Sequence, residues 1–186
     1  VTYLGTEAAR EMQIGPGRVL ELAPPGKALF GEVPSNRTLQ LEVDDENTGS
    51  AIFAQPRLVP AGGALGEMPV TATYNATEPR KWDLTFADGS SDVALDQPGL
   101  LAIPGAEVAF EGEPSDGDEV IFRADEAFDF FSVYDQLLIA VDEPRSDAVS
   151  QARFQNRLQG AQDRLAAAED QISTSRSVVG AKLSAL

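Results

Sequence analysis

Polar and apolar residues alternate with a period of two through much of the first 125 positions, and then the period changes. "TLQLEV" places Leu39, Leu41 and Val43 on one side, "PVTATY" does so with Val70, Ala72 and Tyr74, and "KWDLTF" with Trp82, Leu84 and Phe86. "EVAF" and "EVIF" set out Val108/Phe110 and Val120/Phe122, joined through Asp116-Gly117 as a last hairpin. Alternation of this kind predicts antiparallel strands with one wet face and one dry face. Nearer the start, "REMQI" and "RVLEL" flank Gly15-Pro16-Gly17, a turn whose glycines are free to take positive φ, and a hairpin is expected there. Pro- and Gly-rich runs at 60–69 and 98–105 are predicted loops, with Gln97-Pro98-Gly99 a turn.

Beyond Asp125, the predicted N-cap, Phe131, Tyr134, Leu137, Leu138 and Val141 follow helical spacing. Pro144 must interrupt that helix, because it lacks a donor and clashes with the preceding turn. No proline follows. A helix over 146–186 would run about 60 Å. Along it, apolar or small residues fall at 154, 158, 161, 165, 168, 172, 175 and 179, in steps of four and three. The large members of this seam, Phe154, Leu158, Leu165, Ile172 and Val179, offer on the order of 10 kcal/mol if buried. An isolated helix is marginal in water, so the seam calls for a second helix against it. Phe131, Tyr134 and Leu138 are expected to support it from the shorter helix. Gly180 beside the seam costs up to about 1 kcal/mol relative to Ala. Either close approach of a neighbouring helix or tolerance near a frayed end accounts for it. Whether the seam is a core within one chain or a contact between chains stays open at this level.

Charge sharpens the division. The chain carries 30 acidic and 14 basic residues, a formal charge of −16. Residues 1–125 hold net −13 and 146–186 net +1, so an acidic, water-facing β-region adjoins a near-neutral helix that packs. Solubility alone would also explain the acidity of the β-region. Nucleic acid and anionic membrane surfaces, which need clustered Lys and Arg, are excluded as main partners. No run approaches the roughly 18 apolar residues of a membrane span. The opening on "VTYLG" and the stop inside the helical pattern at Leu186 suggest a fragment of a longer chain.

Catalytic chemistry finds little footing. Without Cys or His, thiolate sites, imidazole ligands and the commonest general base are missing. "DDENTG", Asp44 to Gly49, has Thr48 and Gln55 where a calcium loop needs a fifth ligand and a Glu, and an acidic turn is the better reading. Asp88, Asp92 and Asp96 have no evident cage. "GGALG", Gly62 to Gly66, lacks phosphate-loop spacing. Asn36-Arg37-Thr38 and Asn75-Ala76-Thr77 match a glycosylation pattern that chance often produces. No metal, cofactor or catalytic residue is assigned.

Four stretches carry a resemblance to the hook-associated proteins of the bacterial flagellar hook–filament junction, relatives of flagellin. "YLGTEAAREMQIGPG", Tyr3 to Gly17, resembles the family's hairpin beside its N-terminal helices, and "NTGSAIF", Asn47 to Phe53, an early piece of its inserted β-domain. "FEGEPSDGDEVIF", Phe110 to Phe122, resembles that domain's last hairpin. "SVYDQLLIAV", Ser132 to Val141, with "RSVVGAKLSAL", Arg176 to Leu186, is similar to the C-terminal rod. Residues 56–104 match poorly.

The resemblance implies an α+β fold in which 1–33 is a hairpin segment of a rod domain, 34–125 an inserted antiparallel β-domain displayed outward, and 126–186 the rod's C-terminal helices. It implies a non-enzymatic, secreted assembly protein that adapts hook to filament. Its partners would be copies of itself, another hook-associated protein, flagellin and the filament cap, with an export chaperone holding the C-terminal helix before secretion. Two other classes remain. One is a secreted adhesin or binding module on a trimeric coiled-coil stalk; the other is a carbohydrate-active or calcium-dependent enzyme.

Overall fold

A computed structural model gives the structure and describes residues 4–5, 8–34, 39–59, 68–124 and 127–184. Outside these lie the predicted N-cap Asp125, the Gly62–Gly66 run with most of the 60–69 loop, and the Asn36-Arg37-Thr38 pattern. Eleven strands, two α-helices and one π-helical turn are found among the described residues. The chain falls into two compact units, one of residues 1–36, 126–138 and 161–186, the other of 37–125 and 139–160. The predicted α+β class, antiparallel strands with a long terminal helix, holds.

The β-rich unit has two antiparallel sheets. The first runs β3 (Leu39–Val43), β11 (Glu119–Ala124), β6 (Val70–Asn75), β7 (Lys81–Phe86), β8 (Ser91–Leu95), in that spatial order. In the second, β10 (Ala106–Glu111) is central. It pairs on one edge with β9 (Leu100–Ile103), and on the other successively with β5 (Arg57–Leu58) and β4 (Ile52–Phe53). The dry faces predicted from alternation meet in one core. Val70, Ala72, Trp82, Val120 and Phe122 are fully enclosed, and Leu101 and Val108 join them from the second sheet. Trp82 sits among Tyr74, Phe110 and Phe53 at ring-centroid distances of 5.0, 6.1 and 6.2 Å, tilted or edge-on as aromatic quadrupoles prefer.

Two expectations fail here. "EVAF" and "EVIF" do not form a last hairpin: β10 and β11 belong to different sheets. Both strands are long enough and apolar enough to be central, so each has neighbours on both edges and the chain crosses between sheets at 112–118. The predicted loop at 98–105 contains β9, because "LLAI" buries Leu101 and Ile103 against β10 despite its flanking Gly and Pro. The turn at Gln97 to Gly99 is present, with Gly99 at φ 72°.

In the other unit, β1 (Arg10–Gly15) and β2 (Arg18–Ala23) pair as predicted around a turn with Gly17 at φ 73°. A single π-helical turn follows at Lys27–Gly31, closed by the Glu32 N–H on the Lys27 carbonyl at 3.0 Å. Val33 and Phe128 then exchange backbone bonds in both directions at 2.9 Å.

Helix α1 spans Phe130–Asp142 and α2 spans Ala148–Ser184. At the start of α1, Asp129 accepts the N–H of Phe131 at 2.8 Å. Pro144 lies in the break. Asp147 caps α2 by accepting the Ser150 N–H at 2.8 Å, while Ser150 Oγ accepts the Asp147 N–H, a reciprocal closure of the first turn. Bonds to the carboxylate from the Ser150 N–H and, at 2.9 Å, from its hydroxyl hold the Asp147 carboxyl below its usual pKa.

Candidate functional site

The first turns of α2 are anchored within the β-rich unit by polar side chains. Asn156 accepts the Phe53 N–H at 2.9 Å and donates to the Ala51 carbonyl at 3.0 Å. A strand neighbour would make the same two bonds, so the amide occupies the edge of β4 opposite β10. Arg153 donates to the Asn47 carbonyl at 3.1 Å.

Arg157, with its side chain 16% exposed, donates through Nε to Asp45 at 2.8 Å. Its Nη1 lies 2.9 Å from Glu143 but off the hydrogen-bond direction, so that contact is an ion pair alone. The bond to Asp45 is the main influence raising the guanidinium pKa above its ordinary value; partial burial opposes it and Glu143 adds to it.

The segment these residues grip is itself clasped. Asp118, the buried carboxylate of this core, accepts the Thr48 N–H at 2.8 Å, the Gly49 N–H at 3.0 Å and the Ser115 N–H at 2.8 Å. Asn47 exchanges two bonds with the backbone of Glu119, at 2.8 and 2.7 Å. Position 49 must be glycine: a Cβ there would stand 2.6 Å from Ser115 N and 2.7 Å from Glu113 O. "NTGSAIF" is therefore a keystone between strand ends and helix, and "DDENTG" is an acidic turn spent on Arg157 and on this clasp. Among the described residues no group of three or more His, Cys, Asp or Glu could hold a metal ion.

The seam divides between the two units. Phe154 and Leu158 are half-buried in the β-rich unit, with the Arg145 guanidinium 4.2 Å from the Phe154 ring centre. Leu165, Ile172 and Val179 are half-buried in the other. Complete burial along α2 belongs to alanines: Ala152, Ala161, Ala167 and Ala168. Gly180 is exposed, and a Cβ on it would meet nothing within 4 Å among the described residues.

In the helical unit, Phe131 is half-buried beside Phe30, at 6.2 Å between ring centres. Arg164 donates to Gln136, and Gln171 to the Ala28 carbonyl at 3.3 Å. Tyr134 and Leu138 are 49% and 65% exposed. The stripe α1 buries is Phe130, Val133, Leu137 and Ala140 instead. Two apolar stripes at the same spacing run along this helix one residue apart, and spacing alone cannot rank them. The anchors Arg153, Asn156, Arg157 and Asp118 escape any periodicity search, since polar side chains at a helix surface look solvated until their partners are placed.

No family model matches this chain, and no curated protein does. Solved structures do. Flagellar junction protein FlgL from Xanthomonas campestris superposes with a TM-score of 0.87 over 98% of this chain, at 18% identity. FlgL from Legionella pneumophila, also described as flagellar hook associated protein-3, gives 0.81 and 0.79 at the same identity and coverage. This chain spans about 60% of the length of each. By its fold, this chain is of the kind seen in the flagellar junction protein FlgL.

Proposed function

We propose that this chain is the larger part of a non-enzymatic assembly protein of the bacterial flagellum, joining hook to filament by packing of its helical rod. Residues 34–125 are the inserted β-domain, with 1–33 and 126–186 forming the rod. The observation that carries this reading is where apolar surface is left open. Tyr134, Leu138, Ile139, Val141, Val178 and Leu183 are all exposed on α1 and α2. A helix with so much uncovered apolar surface is built to be covered. Helices from the rest of the polypeptide cover the Phe154, Leu158, Leu165, Ile172 and Val179 seam with Gly180, and neighbouring copies cover α1. Another hook-associated protein, flagellin and the filament cap adjoin it in the assembled organelle, outside the cell. An export chaperone shields α2 beforehand.

The test is Tyr134→Lys with Leu138→Lys in the full-length protein, expressed in place of the native copy. The thermal transition of the purified variant is expected to match the parent while filaments fail to stay attached to hooks. Normal filaments on cells carrying the folded variant would overturn the reading, as would a stable trimer of the parent joined along the seam.

A further inference from the structure

Strand β8 ends the five-stranded sheet, and among the described residues no strand pairs with its outer edge. Its hydrogen-bonding phase can be read from the hairpin. Phe86 N–H bonds to Ser90 O at 3.0 Å and Asp96 N–H to Arg80 O at 3.2 Å, while the register pairs Leu84 with Asp92 and Trp82 with Ala94. Bonded pairs therefore fall on even positions of β8, and Ser91, Val93 and Leu95 turn their N–H and C=O groups outward. The side chains of Val93 and Leu95 are 47% and 66% exposed.

This edge is self-complementary. A second β8 laid antiparallel about Val93 would set Val93 against its own copy and Ser91 against Leu95, with free donors facing free acceptors and apolar side chains aligned. An open edge of that kind is a template for association. One residue disturbs the match. Asp92 Oδ1 accepts the N–H of Val93 at 2.8 Å, occupying the central outward donor. Asp92 alternates with Val93 and so takes the side of β8 on which Ala94 is buried, a position where a charge contributes nothing to the core.

We propose that Asp92 is an edge guard, which closes β8 against pairing with a second copy of this chain by capping the Val93 N–H and by setting a charge where the copy's own Asp92 would come near. The inference does not rest on the flagellar reading. It concerns an interface that the chain is built to refuse.

Sedimentation velocity over a concentration series, on the whole chain, tests it. Asp92→Ala is expected to self-associate about tenfold or more tightly than the parent, the scale of one charge-assisted hydrogen bond. Amide exchange at Val93 should slow as that variant is concentrated. Asp92→Thr, a good strand former, serves as a second variant should alanine perturb the fold. Adding Val93→Lys to either is expected to return association to the parent level. Folded variants no more associated than the parent would overturn the proposal, and so would association that survives Val93→Lys.

Discussion

The two units bury different kinds of residue. In the β-rich unit the enclosed side chains are large: Trp82, Phe122, Leu84 and Leu101 lie at 2% exposure or less. In the helical unit full burial falls to Val33 and Val133 and to the alanines Ala161, Ala167 and Ala168, while Tyr134, Leu138, Val178 and Leu183 stay open. The first has paired its apolar faces with one another. The second presents half-buried seam residues and a bare stripe, so its own contacts leave much of its apolar area in water. A core closed on itself sets stability, whereas an unclosed one sets what the chain can join.

Breaking the first core should have the largest effect. Trp82→Ala is expected to cost the β-rich unit about 3–5 kcal/mol, read from denaturant unfolding followed by a probe in that unit. Trp82→Phe should cost much less, since the indole N–H it gives up has no partner among the described residues. Next comes Asp118→Ala, which strands the N–H groups of Thr48, Gly49 and Ser115 and should cost roughly 2–3 kcal/mol. A midpoint unchanged in that variant would mean that the clasp is not a structural element.

The contrast sharpens at the exposed stripe. Tyr134→Ser with Leu138→Ser should shift the stability of this chain by no more than about 0.5 kcal/mol. A larger loss would mean that the stripe is covered within the chain and the contrast is false.

The smallest effect is a pH dependence of α2. Asp147 has its folded pKa lowered by bonds to Ser150, so its contribution is complete above the ordinary Asp value near 4 and lost as pH falls through the folded value. Circular dichroism should record helix loss on acidification, with Asp147→Asn flattening that component.

Much of the β-rich unit was legible in the sequence, because period-two alternation names the dry face directly and Val70, Ala72, Trp82, Leu84, Val120 and Phe122 all lie on it. Strand pairing was not legible. "EVAF" and "EVIF" read as a hairpin since proximity in the chain is the only clue a sequence offers, and two central strands in different sheets look identical to two paired ones. The helices show the same limit. The break at Pro144 follows from ring geometry, and the seam from spacing, but α1 carries two apolar stripes, and the one through Tyr134 and Leu138 is open in this structure. Nor could 126–186 be divided by composition. Residues 139–160 join the 45–53 segment through Arg153, Asn156 and Arg157, and such bonds depend on partners about a hundred positions away.

Those three anchors carry a mechanical meaning. A tensile load travelling along α2 would be handed to the 45–53 segment at 153, 156 and 157, on two successive turns, so no single bond bears it alone. Because Asn156 grips both a donor and an acceptor of one strand edge, slippage of the helix by even one residue would break two bonds at once, and the joint should yield abruptly rather than creep.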